Sequence, residues 1–122
     1  MSEKILIVDD DLDTLRLVGL MLQHQGYQII AASSGIQAIA LSQAERPDMI
    51  LLDNMDPPSA ARSVKAVRRE AGSGILVESS GGITSRNIGA YVDAGVDVVS
   101  MSQITLSAKP LDISMKIVGY KQ

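Results

Sequence analysis

Residues Ile50–Met55 read ILLDNM. Three large aliphatic residues in a row leave no polar face, which suits a strand covered on both sides, as in a parallel sheet. Extended back to Met49, the run ends on the carboxylate of Asp53. Similar short runs at Lys4–Asp9, Gln28–Ala32, Ile75–Ser79 and Val96–Met101 predict four further strands. Between them the apolar period changes to that of a helix. Leu12–His24 has Leu12, Leu15, Val18 and Leu22 along one face, Asp11 as N-cap and Gly26 as stop. Gly35–Ala44 is expected to turn Ile36, Ile39 and Ala40 inward. A third helix, Ser59–Ala71, has Pro57 and Pro58 suited to its first turn and Gly72 after its end; a fourth covers Ser85–Ala94 before Gly95. This alternation predicts right-handed βα units around one parallel sheet.

The 122 residues suffice for one domain with a single sizeable core. That core must be aliphatic, because Phe and Trp are absent and the aromatics are three tyrosines, Tyr27, Tyr91 and Tyr120. The absence of cysteine excludes disulfides, thiolate zinc sites and thiol catalysis. A net charge of -3 gives little with which to neutralise nucleic-acid phosphates. The opening MSEKILIVDDD has acids where a signal peptide needs basic and then apolar residues, and no apolar run approaches the roughly 18 residues of a membrane helix. A cytoplasmic protein with no membrane or nucleic-acid partner is expected. The basic residues Arg62, Lys65, Arg68 and Arg69 read as a solvated helix face. In the tail, Leu111, Ile113, Met115 and Ile117 alternate as in a strand, while Ala108, Leu111, Met115 and Val118 form a helical stripe. A helix is favoured over 105–118, since the last sheet edge and face need covering.

Asp9, Asp10 and Asp11 follow the first strand, and Asp53 ends the third. If those strands are neighbours, as in a 2-1-3-4-5 order, Asp9, Asp10 and Asp53 share the crevice at the strand C-termini. Carboxylates so placed raise one another's pKa unless a cation joins them, and hard oxygen donors with open positions suit Mg²⁺. A carboxylate on such a metal can act as nucleophile toward a phosphoryl group. The competing reading is that Asp53 and Asp11 simply cap the helices that follow them. Spacing alone leaves both open.

The segment 4–53 resembles the first half of a response-regulator receiver domain. The resemblance lies in the acid pair Asp9–Asp10, Gly26–Tyr27, Ser34–Gly35 and the P-D-x-I-L-L-D run ending at Asp53. It implies a flavodoxin-like fold, Asp53 as phosphoacceptor, Asp9 and Asp10 as Mg²⁺ partners and the Met55 carbonyl as a third ligand. That family also needs a hydroxyl ending strand four, which Ser79 or Ser80 could supply, and a lysine ending strand five. At the lysine position stands Ser102, and at the aromatic switch position Val99; Lys109–Pro110 falls seven residues past it. A fully working receiver is therefore not expected.

Residues 50–117 resemble the C-terminal strands and helices of quinolinate (nicotinate-nucleotide) phosphoribosyltransferase. The matching features are Leu52–Met55, the E-x-S-G-G-I at Glu78–Ile83, Asn87–Ile88, Gly95–Ser100 and L-D-I-S-M-K-I at Leu111–Ile117. The resemblance implies active-site carboxylates at Asp53 and Glu78 and a phosphate-holding loop at Ser80, Gly81 and Gly82. Glycines let the backbone approach an anion, and the first N–H groups of the next helix would point at it. A plain strand-to-helix turn is the alternative. The substrate-gripping Arg, Lys and His residues of that enzyme have no counterparts here.

The two resemblances meet at ILLDNM, with the junction between Arg46 and Asp53. The chain thus reads as a chimera: a single α/β domain over 1–122, receiver-like over 1–53 and phosphoribosyltransferase-barrel-like over 50–122. The expected fold is flavodoxin-like, an open five-stranded parallel sheet of order 2-1-3-4-5 with helices on both faces. The expected function is that of an engineered or recombined scaffold without native catalytic or signalling activity, not an enzyme, with at most residual Mg²⁺ binding at Asp9, Asp10 and Asp53 or residual phosphate binding at Ser80, Gly81 and Gly82. The alternative is a divergent receiver phosphorylated on Asp53. No cofactor or partner is required, and an unpaired edge at Gln28–Ala32 or Val96–Met101 would favour self-association.

Overall fold

The computed structural model describes residues 3–101 and the backbone of 115–116. Its strands are β1 (Lys4–Val8), β2 (Gln28–Ala32), β3 (Met49–Asp53), β4 (Leu76–Ser80), β5 (Val98–Val99) and β6 (Met115–Lys116). Its helices are α1 (Leu12–His24), α2 (Gly35–Glu45), α3 (Pro57–Ala71) and α4 (Ile88–Asp93). The sheet runs β2-β1-β3-β4-β5-β6, parallel throughout except for β6, which lies antiparallel to β5. The predicted 2-1-3-4-5 order holds, with one strand added. The favoured helix over 105–118 is corrected at Met115–Lys116, where β6 covers the β5 edge; the rest of that span lies outside the described residues. Of the two edges named for self-association, Gln28–Ala32 is terminal in this sheet and β5 is not.

The strand named first is central. Ile50, Leu51 and Leu52 are all buried, because β3 lies between β1 and β4 with helices on both sides. One core, containing Leu6, Val8, Ile50, Leu52, Val64, Val67, Val77 and Tyr91, packs beneath α2, α3 and α4. On the opposite face Ile5, Ile7 and Leu51 pack against Leu15, Val18 and Leu22 of α1. Helix α1 begins where predicted, with the Asp11 carboxylate accepting from the Asp13 N–H at 3.0 Å and the Thr14 hydroxyl at 2.9 Å. Leu12, however, is exposed.

Helix α2 is rotated from the predicted face. Ala38 and Ser42 are buried, whereas Ala40 is exposed and Ile36 is 85% exposed. Ser34 caps this helix through the Gln37 N–H, which fixes where the first turn begins. Arg68 also departs from the solvated-face reading. Its guanidinium donates to the Asp97 carboxylate at 2.9 Å and to the carbonyls of Ile75 and Gly95, while Asp97 also accepts from the Val77 N–H. It ties α3 to the start of β4 and the approach to β5. Helix α4 begins later than expected, because the Asn87 side chain accepts from the Thr84 N–H at 2.7 Å and holds residues 84–87 in a turn.

Candidate functional site

Parallel register puts Val8 opposite Leu52, so the residues that follow β1 and end β3 emerge on the same rim. Asp9, Asp10 and Asp53 line one cavity of about 170 Å³ there, together with Ser33, Ser34, Asn54 and Met55. Among the described residues its lining contains no basic side chain. Asp9 is buried, Asp53 half-buried and Asp10 exposed. Burial pushes the Asp9 carboxyl above the ordinary carboxylate range, the Asp11 N–H bond opposes this, and the charges of Asp53 and Asp10 add to the rise. The cluster therefore carries unneutralised repulsion.

The cap reading is settled differently for each acid. Asp11 caps α1, as expected. The cap of α3 is Asp56, whose carboxylate accepts from the Ser59 N–H at 2.8 Å. Asp53 caps none of the described helices; its Oδ1 accepts from the Ser80 hydroxyl at 3.2 Å, its partner in the β3–β4 register. Ser79 faces the other way, fully buried and with no partner for its hydroxyl among the described residues. Of the two serines considered, geometry brings Ser80 to Asp53. Asn54 follows with φ of 59°, turning the chain sharply out of the strand.

Among the described residues, no group of three or more Asp, Glu or His side chains converges closely enough to hold a metal ion. Asp9, Asp10 and Asp53 nevertheless line one cavity, Asp10 as its exposed member, and the charges of Asp53 and Asp10 both act on Asp9. Two carboxylates suit Mg²⁺ nonetheless, since that ion commonly takes one or two and keeps its waters. The third ligand implied earlier, the Met55 carbonyl, accepts from the Tyr91 hydroxyl at 2.8 Å. Nothing in the sequence pattern signals this contact between residues 36 apart. Burial, and secondarily the charge of Asp56, raises the Tyr91 pKa, so this donor keeps its proton at neutral pH.

The glycine loop is arranged less favourably for an anion. Gly81 and Gly82 have φ of 87° and 70°, as a close-approach loop requires. Helix α4, however, starts only at Ile88, so its first N–H groups do not follow the loop directly. A Cβ on Gly81 would lie 3.2 Å from Asp53 Oδ1, which places a carboxylate beside the loop. Glu78 accepts from the Ser100 hydroxyl at 2.7 Å. A larger cavity of about 430 Å³ lies between α2 and α3, but its lining is mostly aliphatic and contains no carboxylate.

Residues 19–116 match the family described as quinolinate phosphoribosyl transferase, C-terminal domain. The chain belongs to that family. It is 44% identical over 75 residues to a probable nicotinate-nucleotide pyrophosphorylase (carboxylating) of Methanothermobacter thermautotrophicus, covering 61% of this chain and 27% of that protein. Over 57 residues it is also 44% identical to sporulation initiation phosphotransferase F of Bacillus subtilis, covering 47% of this chain and 46% of that protein. The fold is that of receiver domains. The chemotaxis response regulator CheY4 of Vibrio cholerae superposes with a TM-score of 0.71 at 25% identity, covering 92% of this chain and 90% of the other. Both halves of the chimera are thereby accounted for. The chain spans between 27% and 32% of the first two pyrophosphorylase relatives. Membership of this family overturns the expectation that the chain is not an enzyme, since both the family and its named relatives are enzymes. Among the described residues no helix is long and apolar enough to cross a membrane.

Proposed function

We propose that the chain is a recombined α/β scaffold whose retained chemistry lies in the acidic pocket. Asp9 and Asp53, with Asp10 at the rim, bind Mg²⁺ weakly, and Asp53 accepts a phosphoryl group as in a divergent receiver. The observation that carries this reading is the position of Asp53. It faces Asp9 across the β1–β3 ladder, is relieved of the helix cap by Asp56, and has the Ser80 hydroxyl at 3.2 Å. When bound, Mg²⁺ would neutralise the cluster and polarise the phosphoryl oxygens. An Asp53 carboxylate oxygen then forms the bond to phosphorus as the bond to the leaving group breaks, and the leaving group keeps the electron pair. Ser80 donates to an oxygen of the transferred group. Among the described residues the pocket has no cationic side chain, so from these the adduct gains no charge-assisted contact of the kind an ammonium would add. No macromolecular partner is needed, and a cytoplasmic setting suits this chemistry.

The test is intact mass after incubation with Mg²⁺ and acetyl phosphate. One phosphoryl adduct in the native chain and none in Asp53→Asn supports the reading; a folded native chain with no adduct rejects it. Family membership favours a second reading, a part of a carboxylating nicotinate-nucleotide pyrophosphorylase using Glu78 and the Ser80–Gly82 loop. Release of pyrophosphate and carbon dioxide from phosphoribosyl pyrophosphate and quinolinate would support it. No turnover above the level of a Glu78→Gln variant would remove it.

A further inference from the structure

Helices α2 and α3 touch at one end and part at the other. The Gln43 amide donates to the Glu70 carbonyl at 3.3 Å, joining their C-terminal ends. Towards their N-terminal ends lies the cavity of about 430 Å³, a size usual for small-molecule sites. Ile39, Leu52, Met55, Ala66 and Val67 give it apolar walls. Ile36 lines it too, and at 85% exposed is the large apolar side chain most open to water among the described residues.

The polar lining comes from the first turns of α3. The Ser63 hydroxyl donates to the Ser59 carbonyl at 2.9 Å and to the Met55 sulfur at 3.4 Å, so it is already engaged. Arg62 is exposed and donates to the Ser59 hydroxyl at 3.1 Å; among the described residues it forms no ion pair. Asp56 feels its charge, but that carboxylate is held on the Ser59 N–H.

We propose that this cavity binds a free medium-chain alkyl carboxylate, with the chain against the aliphatic walls and Ile36 and the head group on the Arg62 guanidinium. Charge and lining together choose this occupant. A carboxylate matches the planar fork of an arginine, whereas an alkyl cation would meet it with like charge. The described lining has no aromatic ring on which a planar ligand would stack. The acidic pocket adjoins the cavity through Val8, Gly35 and Met55, and its carboxylates repel the head group from that end. The inference does not depend on cation binding or phosphorylation.

The experiment is an amide NMR titration of the full chain with hexanoate, octanoate and decanoate below their micelle concentrations, with octanol as the uncharged control. Shifts should centre on residues 35–39 and 59–67, and affinity should rise about threefold to fourfold per added methylene until the cavity is filled. Arg62→Gln, an exposed change, should weaken decanoate about threefold to tenfold and leave octanol unaffected. Ala66→Leu, which fills the cavity, should abolish binding of both in a folded sample. Absence of decanoate binding, or affinity indifferent to Arg62→Gln, overturns the proposal. So do shifts centred on the apolar hollow around residues 20–25 of α1. A dimer whose concentration-dependent shifts fall on 35–39 and 59–67 without ligand would give the cavity mouth to a second copy, and overturns it too.

Discussion

The acids after β1 and at the end of β3 sit on the same rim of the sheet as the glycines after β4, yet the two sets are positioned by different means. Asp9 and Asp53 are fixed by ladder register: Val8 lies opposite Leu52, and the carboxylates follow from that pairing. Gly81 and Gly82 are fixed by a turn, and the Thr84–Asn87 hydrogen bonds then delay α4 until Ile88. Strand-borne carboxylates keep their places as long as the strand register holds, whereas the geometry after the glycine loop depends on turn contacts, which here put the start of α4 at Ile88.

The largest expected effect breaks the first half of that comparison. Leu52 is buried between β1 and β4 and belongs to the main core, so Leu52→Ala should cost about 2–5 kcal/mol in denaturant unfolding. A loss below about 1 kcal/mol would mean that β3 is not central.

Next come the glycines. At Gly81 a Cβ meets the Asn54 backbone at 3.0 Å and φ is positive, so Gly81→Ala should cost about 2–3 kcal/mol. Gly82→Ala has open space and carries only the positive-φ penalty of about 1 kcal/mol. Equal effects on thermal unfolding would contradict the close approach of the loop to Asp53. A smaller change is expected at Arg68. It is roughly two-thirds covered and donates to two carbonyls besides Asp97, so Arg68→Ala should cost about 1 kcal/mol after solvent screening.

The sequence pattern carried most of the architecture. Gln28–Ala32 and Met49–Asp53 are apolar strings whose ends coincide with the strands, and α1 coincides with its apolar stripe and Asp11 cap. What it carried less well depended on contacts made elsewhere. Ile36 lies outward because the Ser34 cap sets the phase of α2, and an eleven-residue helix with several apolar faces does not declare which one is buried. Arg68 left the solvated face for Asp97, a partner 29 residues away. Within the site, the two strand-end acids were legible from spacing once the strand order was assumed. The choice of Asp56 over Asp53 as the α3 cap was not, because Asp53 also stands close before that helix, and its selection depends on the turn at Asn54. The Tyr91–Met55 bond left no local signal at all.

Protonation offers the finest comparison. Asp11 and Asp56 have lowered pKa values through their cap bonds, so their contribution to stability is present above their unfolded-state pKa and is lost as pH falls through the folded value. Asp9 is raised, so its contribution has the opposite sign: present at acid pH, and lost as pH rises through its folded pKa.

The most direct test of the joined site is the titration of the Asp9 carboxyl by carbon-detected NMR, in the native chain and in Asp53→Asn. The account predicts a midpoint above the ordinary aspartate range in the native chain, falling part-way back in the variant as the charge across the β1–β3 ladder is removed. An ordinary midpoint in both proteins would mean that Asp9 and Asp53 do not share a pocket.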